Sequence, residues 1–248
     1  IIILDTNTAN FTGLDNFESV FTKVESIKFY MYGDIKVIYI YEPTELCKIM
    51  EINKSDKGNS DIKIAWHNYT QVYTQLFKNL KPKRIFELGI GTNDLSISSN
   101  MGINGRPGAS LYGWSEYFPD AKIYGADIDY KCLFSTEKIK TFYCDQTNVP
   151  SIENLWKQYE LLESFDIIID DGAHTIESTV IFFENSIHKL QEGGYYIIED
   201  VRNDYMDFWE QMIPVWRLKY LNFRFGILKI PNIINTMDNN MIIIHKIK

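Results

Sequence analysis

The stretch FDIIIDDGAH, residues 165–174, decides the fold. Its three consecutive isoleucines suit a strand that is covered on both faces, which is typical of a parallel sheet flanked by helices. Two acids, Asp170 and Asp171, follow where that strand should end. Because ligands of open α/β sheets bind outside the carboxyl ends of the strands, the stretch predicts a central parallel strand with a binding site at its end.

The sequence on either side repeats the pattern of a buried strand followed by a helix. Strands that alternate with helices predict an α/β, doubly wound, mostly parallel sheet of seven strands, of Rossmann-like type. The last two strands are joined by a short connection, so this pair should be antiparallel. Besides 165–170, the predicted strands are RIFELGIG (84–91), AKIYGADID (121–129), IKTFYCD (139–145), GGYYIIED (193–200), NFRFGILKI (222–230) and MIIIHKIK (241–248).

Residues 1–60 have a different pattern and are expected to form an N-terminal accessory or oligomerisation region before a ligand-binding domain at 61–248. The segment 25–43 alternates apolar and polar residues around Gly33-Asp34, which predicts a hairpin. The segment KSDKGNSD, residues 54–61, is polar and contains Gly and Ser, so we expect a linker there.

The composition narrows the class of function. With 25 Lys and Arg against 33 Asp and Glu, the net charge is −8, which disfavours a nucleic-acid partner and suits a small-molecule enzyme. Three cysteines without CxxC spacing favour reduced thiols. No apolar run approaches the roughly 18–20 residues of a membrane span, and no basic-then-apolar leader is present, so a cytoplasmic location without a membrane partner is expected.

Acidic residues follow the predicted parallel strands at what should be one edge of the sheet. Gly89 and Gly91 after the first of these strands let the backbone approach a ligand. Asp127 is suited to accept hydrogen bonds from ribose hydroxyls. Asp94 replaces the third glycine of a dinucleotide fingerprint, which counts against NAD. The strand-end acids are Glu87, Asp127, Asp129, Asp145, Asp170, Asp171, Glu199 and Asp200.

Five segments together resemble the class I S-adenosylmethionine-dependent methyltransferases, and more narrowly the macrocin- and mycinamicin-type sugar O-methyltransferases with the related cephalosporin-hydroxylase-like group. The resemblance covers roughly residues 64–201, and the combination of DDGxH with IEDV is more specific than the glycine turn. The segments are FELGIGT (86–92), YGADID (124–129), YCDQTN (143–148), FDIIIDDGAH (165–174) and GGYYIIEDV (193–201).

The resemblance implies a role for each matching residue. His174 would be the general base, and a divalent metal, Mg²⁺ or Mn²⁺, would assist it. Ala173 stands where the group has Ser. In the cofactor S-adenosylmethionine, the methionine part would contact Glu87, Gly89 and Gly91, and the ribose would contact Asp127. Asp145 and Gln146 would lie near the adenine, with Asp170 as a further cofactor neighbour. The metal ligands would be Asp171, Glu199 and Asp200.

These roles lead to a predicted function, the metal-assisted methylation of a hydroxyl on a sugar or nucleotide-linked sugar. We also expect a place in bacterial surface-polysaccharide synthesis and a chain that can form homo-oligomers. A sugar hydroxyl is a poor nucleophile until it loses its proton, and a cation beside a histidine can bring that about. The alternatives are a metal-free N-methyltransferase for a small amine and a hydroxylase-like or non-catalytic cofactor-binding protein. Asp170 and Asp171 would instead be helix caps in a purely structural interpretation.

Overall fold

The computed structural model describes residues 2–4, 37–39 and 43–247. Within these residues the strands are β1 (Ile2–Leu4), β2 (Val37–Tyr39), β3 (Arg84–Leu88), β4 (Lys122–Asp127), β5 (Ile139–Tyr143), β6 (Phe165–Asp170), β7 (Leu190–Ile198), β8 (Phe223–Lys229) and β9 (Asn240–Lys246). The α-helices are α1 (Glu45–Asn53), α2 (Tyr69–Leu76), α3 (Ala109–Tyr117), α4 (Val149–Trp156), α5 (Ile176–Ser186) and α6 (Met206–Lys219). Short 3₁₀ turns lie at Tyr130–Cys132, Tyr159–Leu161, Ile187–Lys189 and Asn203–Tyr205.

Seven strands form one sheet in the order β5-β4-β3-β6-β7-β9-β8. The strands from β5 to β7 in this order are parallel, whereas β9 is antiparallel to both β7 and β8. The predicted doubly wound, mostly parallel sheet with an antiparallel closing pair is therefore confirmed. β4 and β6 lie on opposite sides of β3 in the sheet, so the strand order reverses there. A crevice for a ligand is therefore expected at the carboxyl ends of β3 and β6.

The two faces of the sheet carry separate apolar cores. Side chains alternate between the faces along a strand, so Ile168 belongs to one core and the adjacent Ile167 and Ile169 to the other. On the first face the core includes Trp156 of α4 and Phe182 of α5. On the second face α1, α2 and α3 cover the strands. This two-sided cover explains the apolar run of β6, which is buried at every position.

Three sequence-based expectations differ from the structure or lie outside it. The helical pattern of SIENLWKQYELLES, residues 151–164, predicts Ser151 as an N-cap, but Asn148 caps α4: its side chain accepts a hydrogen bond from the Ser151 amide at 3.0 Å. The turn of the predicted hairpin at Gly33-Asp34 lies outside the described residues, although Val37–Tyr39 pairs with Ile2–Leu4 in antiparallel fashion. The expected linker 54–61 packs against the domain, as described below, and the domain boundary at residue 60 stays a prediction.

No α-helix among the described residues is long and apolar enough to cross a membrane.

Candidate active site

A cavity of about 530 Å³ opens at the carboxyl ends of the parallel strands, where the topology places the ligand crevice. This volume is in the range of small-molecule and cofactor sites. Of the residues singled out in the sequence, the cavity is lined by Gly89, Gly91, Asp127, Asp145, Gln146, Asp171, His174 and Asp200. Glu87, Asp170 and Glu199 are buried behind its wall.

The glycine turn after β3 is needed for close packing between two loops. Gly89 and Gly91 have φ angles of 80° and 83°, which favour glycine over residues with a side chain. A Cβ atom on Gly89 would collide with the backbone carbonyl of Asp171, and one on Gly91 would meet the side chain of Met101. The turn therefore brings the backbone after β3 against the backbone after β6, where the cavity wall is formed.

Asp127, at the end of β4, is fixed by backbone donors. Its Oδ2 accepts from the Ile90 amide at 3.0 Å and its Oδ1 from the Asp129 amide at 2.9 Å. A carboxylate oxygen accepts more than one hydrogen bond, so each oxygen keeps capacity for a ligand hydroxyl. Burial raises the pKa of Asp127 above its ordinary value.

Gln146 connects the wall to the loop after β6. Its Oε1 accepts from the Ala173 amide at 2.8 Å, and its Nε2 donates to Asp170 Oδ1 at 2.8 Å. Asp170 is thus held behind the wall, where burial raises its pKa to about 7. Its Oδ2 atom is buried and has no hydrogen-bond partner among the described residues. Asp170 is accordingly placed to support Gln146 from behind.

Three groups that bind protons or metals meet on the wall: Asp171, His174 and Asp200. One donor atom from each lies within 4.8 Å of the others. The imidazole stands between the two carboxylates, with Nε2 at 3.2 Å from Asp171 Oδ1 and Nδ1 at 3.5 Å from Asp200 Oδ2. His174 and Asp200 both have left-handed backbone conformations, with φ of 53° and 51°. Non-glycine residues in this region are uncommon and concentrate at functional sites.

The electrostatics of this group favour positive charge. Burial by itself lowers the pKa of His174, but the carboxylates of Asp200 and Asp171 outweigh it and raise that pKa to about 10. The helix-cap interpretation of the acids does not hold, because Thr175 caps α5 by accepting from the Ser178 amide at 3.2 Å. Asp171 is therefore available to the cavity.

Lys57, which the sequence analysis treated as part of a linker, is buried beneath the same acids. Its side chain is 2% exposed. Its Nζ lies 2.6 Å from Asp171 Oδ2 and 3.6 Å from Glu87 Oε1, and it donates a short hydrogen bond to Glu199 Oε2. Burial lowers the pKa of Lys57, but these three carboxylates outweigh it, so the pKa stands well above its ordinary value and the group is charged. No periodicity or motif in the polar segment 54–61 marks this lysine.

The segment around Lys57 is fixed by its contacts with α2. The Thr70 amide donates to the Lys57 carbonyl at 3.2 Å, and a Cβ atom on Gly58 would collide with the side chain of Thr70. The segment that its polar composition predicted to be a linker therefore contains a buried lysine held against α2.

Glu87 and Glu199 have their carboxylates occupied by protein groups. Glu87 accepts from Trp114 Nε1 at 2.6 Å and from Ser110 Oγ. Glu199 accepts from Tyr73 Oη at 2.5 Å in addition to Lys57. Of the expected metal ligands Asp171, Glu199 and Asp200, the structure brings Asp171 and Asp200 together with His174, with donor atoms within 4.8 Å of one another. The ligand set itself stays a prediction.

His67 and Tyr69 support Asp200 from the other side. His67 Nε2 is 3.4 Å from Asp200 Oδ1, and Tyr69 Oη donates to the same oxygen at 2.9 Å. The two rings stack with centroids 4.6 Å apart. Arg106, a loop residue whose charge would suit a phosphate, donates to the Asn53 carbonyl at 3.2 Å.

Comparisons with known proteins place the chain near methyltransferases in sequence and in fold. The chain is 30% identical over 165 residues to the 8-demethyl-8-(2-methoxy-α-L-rhamnosyl)-tetracenomycin-C 3′-O-methyltransferase of Streptomyces olivaceus, a match that covers 66% of this chain and 38% of that protein. It is 30% identical over 141 residues to the mycinamicin VI 2″-O-methyltransferase of Micromonospora griseorubida, covering 56% of this chain and 33% of the relative. The chain thus spans little more than a third of the length of these relatives. No family model matches.

Among solved structures, the MycE methyltransferase of the mycinamycin pathway, in complex with Mg, SAH and mycinamycin VI, superimposes with a TM-score of 0.63 at 21% identity. That match covers 83% of this chain and 55% of MycE. The chain therefore has the class I methyltransferase fold, and its resemblance to the macrocin- and mycinamicin-type sugar O-methyltransferases is confirmed.

Proposed function

We propose that the chain is an S-adenosylmethionine-dependent O-methyltransferase whose acceptor is a hydroxyl of a sugar. The observation that carries the proposal is the meeting of Asp171, His174 and Asp200 on the wall of a cavity that Asp127 also lines. Sequence relatives named as O-methyltransferases of rhamnosyl and mycinamicin compounds support the choice of a sugar.

The cavity suits S-adenosylmethionine. Gly89 and Gly91 would border its methionine part, Asp127 would accept from the ribose hydroxyls, and Asp145 with Gln146 would lie near the adenine. The cofactor supplies an activated methyl group on a sulfonium, so the chain has to bind, orient and deprotonate the acceptor. Asp145 is fixed for its part, because its Oδ1 accepts from the Thr147 amide at 2.9 Å.

The carboxylates of Asp171 and Asp200 suit a divalent cation such as Mg²⁺ or Mn²⁺, which prefers oxygen ligands and commonly uses one or two carboxylates. A cation there would lower the pKa of a bound hydroxyl and offset the carboxylate charge that keeps the imidazole protonated. His174, between these two residues, would then take the proton of the acceptor hydroxyl.

The charge of the cavity favours a sugar without a diphosphate over a nucleotide-linked sugar. Among the described lining residues the positive or ionisable nitrogen groups are Lys57, His67 and His174, and Lys57 is already paired with three acids. A diphosphate would be repelled at such a surface, whereas a sulfonium and a divalent cation are attracted. The aspartates on the lining are Asp56, Asp127, Asp145, Asp171, Asp200 and Asp238.

A mass-shift screen tests the function. The chain is incubated with S-adenosylmethionine, Mg²⁺ and two matched panels, one of neutral glycosides and one of nucleotide-linked sugars. We expect a gain of one methylene, about 14 Da, on neutral glycosides only, and loss of the product when EDTA replaces Mg²⁺. A third panel of small amines tests the first alternative: full turnover of an amine in EDTA would favour the N-methyltransferase. Cofactor binding without turnover on any acceptor would favour a non-catalytic protein. The cytoplasmic location and the role in surface-polysaccharide synthesis stay predictions.

A further inference from the structure

Lys57 lies where an ion shared by Asp171 and Glu199 would have to lie. Its Nζ is 2.6 Å from Asp171 Oδ2 and in short contact with Glu199 Oε2. A divalent cation bound by those two oxygens would stand roughly 2.0–2.6 Å from each, at nearly the same point. The ammonium and such an ion therefore exclude each other.

The ammonium of Lys57 is more firmly bound at this position than a divalent cation would be. Its side chain is 2% exposed, three carboxylates surround it, and its backbone carbonyl is tied to α2 through Thr70. Moving it aside would leave a buried positive charge without partners, which costs several kcal/mol. Glu199 gains a second protein donor from Tyr73 Oη at 2.5 Å, so its carboxylate has little need of an ion.

We infer that Lys57 is a resident cation that neutralises Glu87 and Glu199, so that Glu199 is not a metal ligand and the divalent ion is confined to the cavity side, on Asp171 Oδ1 and Asp200. This assignment rests on the metal-assisted function proposed above. It makes Lys57 a positioning residue: it holds Asp171 Oδ2 and leaves Asp171 Oδ1 on the cavity side, near His174 and Asp200.

Mn²⁺ binding to the purified full chain, measured by isothermal titration and by EPR, tests the assignment without any turnover. The Glu199→Gln variant alone is ambiguous, because it removes one of the three carboxylates around Lys57 and so weakens the attraction for Mn²⁺ even when residue 199 is no ligand. The double variant Lys57→Met with Glu199→Gln removes one positive and one negative charge together, and is the sharper test. Asp200→Asn is the matched loss of an expected ligand.

We expect the double variant to keep the Mn²⁺ Kd within about threefold of the unmodified chain, and Asp200→Asn to raise it at least about tenfold. Lys57→Met alone should bind Mn²⁺ at least about tenfold more tightly, or take up a second ion, because three carboxylates then lack a cation. Thermal unfolding checks that each variant is folded. Should the double variant not fold, the single Lys57→Met variant decides.

Two results would overturn the inference and are distinguishable from failure of the proposed function. A loss of tenfold or more in the folded double variant would make Glu199 a ligand. An unchanged or weaker Kd in Lys57→Met, with no second ion bound, would mean that the lysine does not compete with the ion. If the unmodified chain bound no Mn²⁺ at all, the metal role of the proposed function would fail first, and this assignment with it.

Discussion

Replacing Lys57 by Met should destabilise the chain strongly in the absence of metal. Methionine retains most of the volume of the buried stem, so the loss is mainly that of the charge. Removing one partner of a buried ion pair typically costs about 3–5 kcal/mol, because the partner left behind is an uncompensated buried charge. Here Asp171 and Glu199 lose their closest cation, at 2.6 Å for Asp171, and Glu87 loses one at 3.6 Å.

For a chain of this size, each kcal/mol shifts the midpoint of thermal unfolding by about 2–4 °C, so the expected decrease is about 6–20 °C. The measurement is urea and thermal unfolding followed by circular dichroism in the presence of EDTA. Lys83→Met is the matched control, since Lys83 is 68% exposed and its Nζ lies 3.8 Å from an exposed Asp120 carboxylate. Exposed pairs of this kind contribute little, so the control should retain the midpoint of the unmodified chain.

The reasoning is refuted if Lys57→Met and Lys83→Met unfold at the same midpoint. Equal midpoints would mean that water or a rearranged acid compensates the three carboxylates, and that the buried ammonium contributes nothing specific. Addition of Mn²⁺ gives a second check on the same sample: the divalent ion should restore part of the lost stability in Lys57→Met, because it binds the folded state.

Three further predictions concern the cavity wall. His174→Ala should reduce kcat by about 10²–10⁴ while the Kd for S-adenosylmethionine changes by less than about threefold, and unchanged turnover would remove the imidazole from the reaction. Gly102→Ala should lower the free energy of unfolding in urea by about 1–2 kcal/mol, because its φ is 74° and the space at its Cβ position is open. Gly89→Ala adds a backbone collision to a similar φ and should cost clearly more. Equal costs of the two would contradict the packing of the turn. Asp127→Asn should weaken SAH binding about tenfold by isothermal titration, with Asp94→Asn as the control that leaves it unchanged, and equal effects of the two would argue against a ribose contact.

The strand pattern could be predicted closely because it depends on local features. The strand 165–170 is observed with the expected bounds, since an apolar run between polar segments leaves little choice of register with the core. The apolar residues of 64–80 have helical spacing, which predicts a helix over that range, but α2 spans only Tyr69–Leu76. The chain before Tyr69 bonds to the preceding loop instead, with the His67 amide donating to the Asp56 carbonyl at 3.1 Å. Helix ends depend on such tertiary partners, which the periodicity does not contain.

The gathering of acids at one edge was also predictable, since parallel strands bring their carboxyl ends to the same edge of the sheet. The internal counter-ion was not. Lys57 is 114 residues from Asp171 and 142 from Glu199 along the chain, and nothing local distinguishes it from the exposed lysine at position 54. Its place follows from how the segment before α2 packs, a long-range property.

The division of the strand-end acids follows from the register of three neighbouring strands. Glu87 pairs with Ile169, and Ile169 pairs with Ile197, so these three positions point to one face. Because side chains alternate with a period of two, Asp171 and Glu199, two positions further along, share that face, whereas Asp170 belongs to the opposite one. The face of Glu87 is the face that α2 covers.

An acid that the sheet directs beneath a helix needs a buried partner, whereas the residue that follows it points away from that helix and can turn towards the cavity. Glu199 follows the first course, with Lys57 and Tyr73 as partners, and Asp200 the second, through its left-handed backbone conformation. These two adjacent acids therefore perform different tasks because they leave the chain on opposite faces and because the backbone at Asp200 is left-handed. On this argument Asp200, and not Glu199, is the residue of the pair on which metal affinity depends.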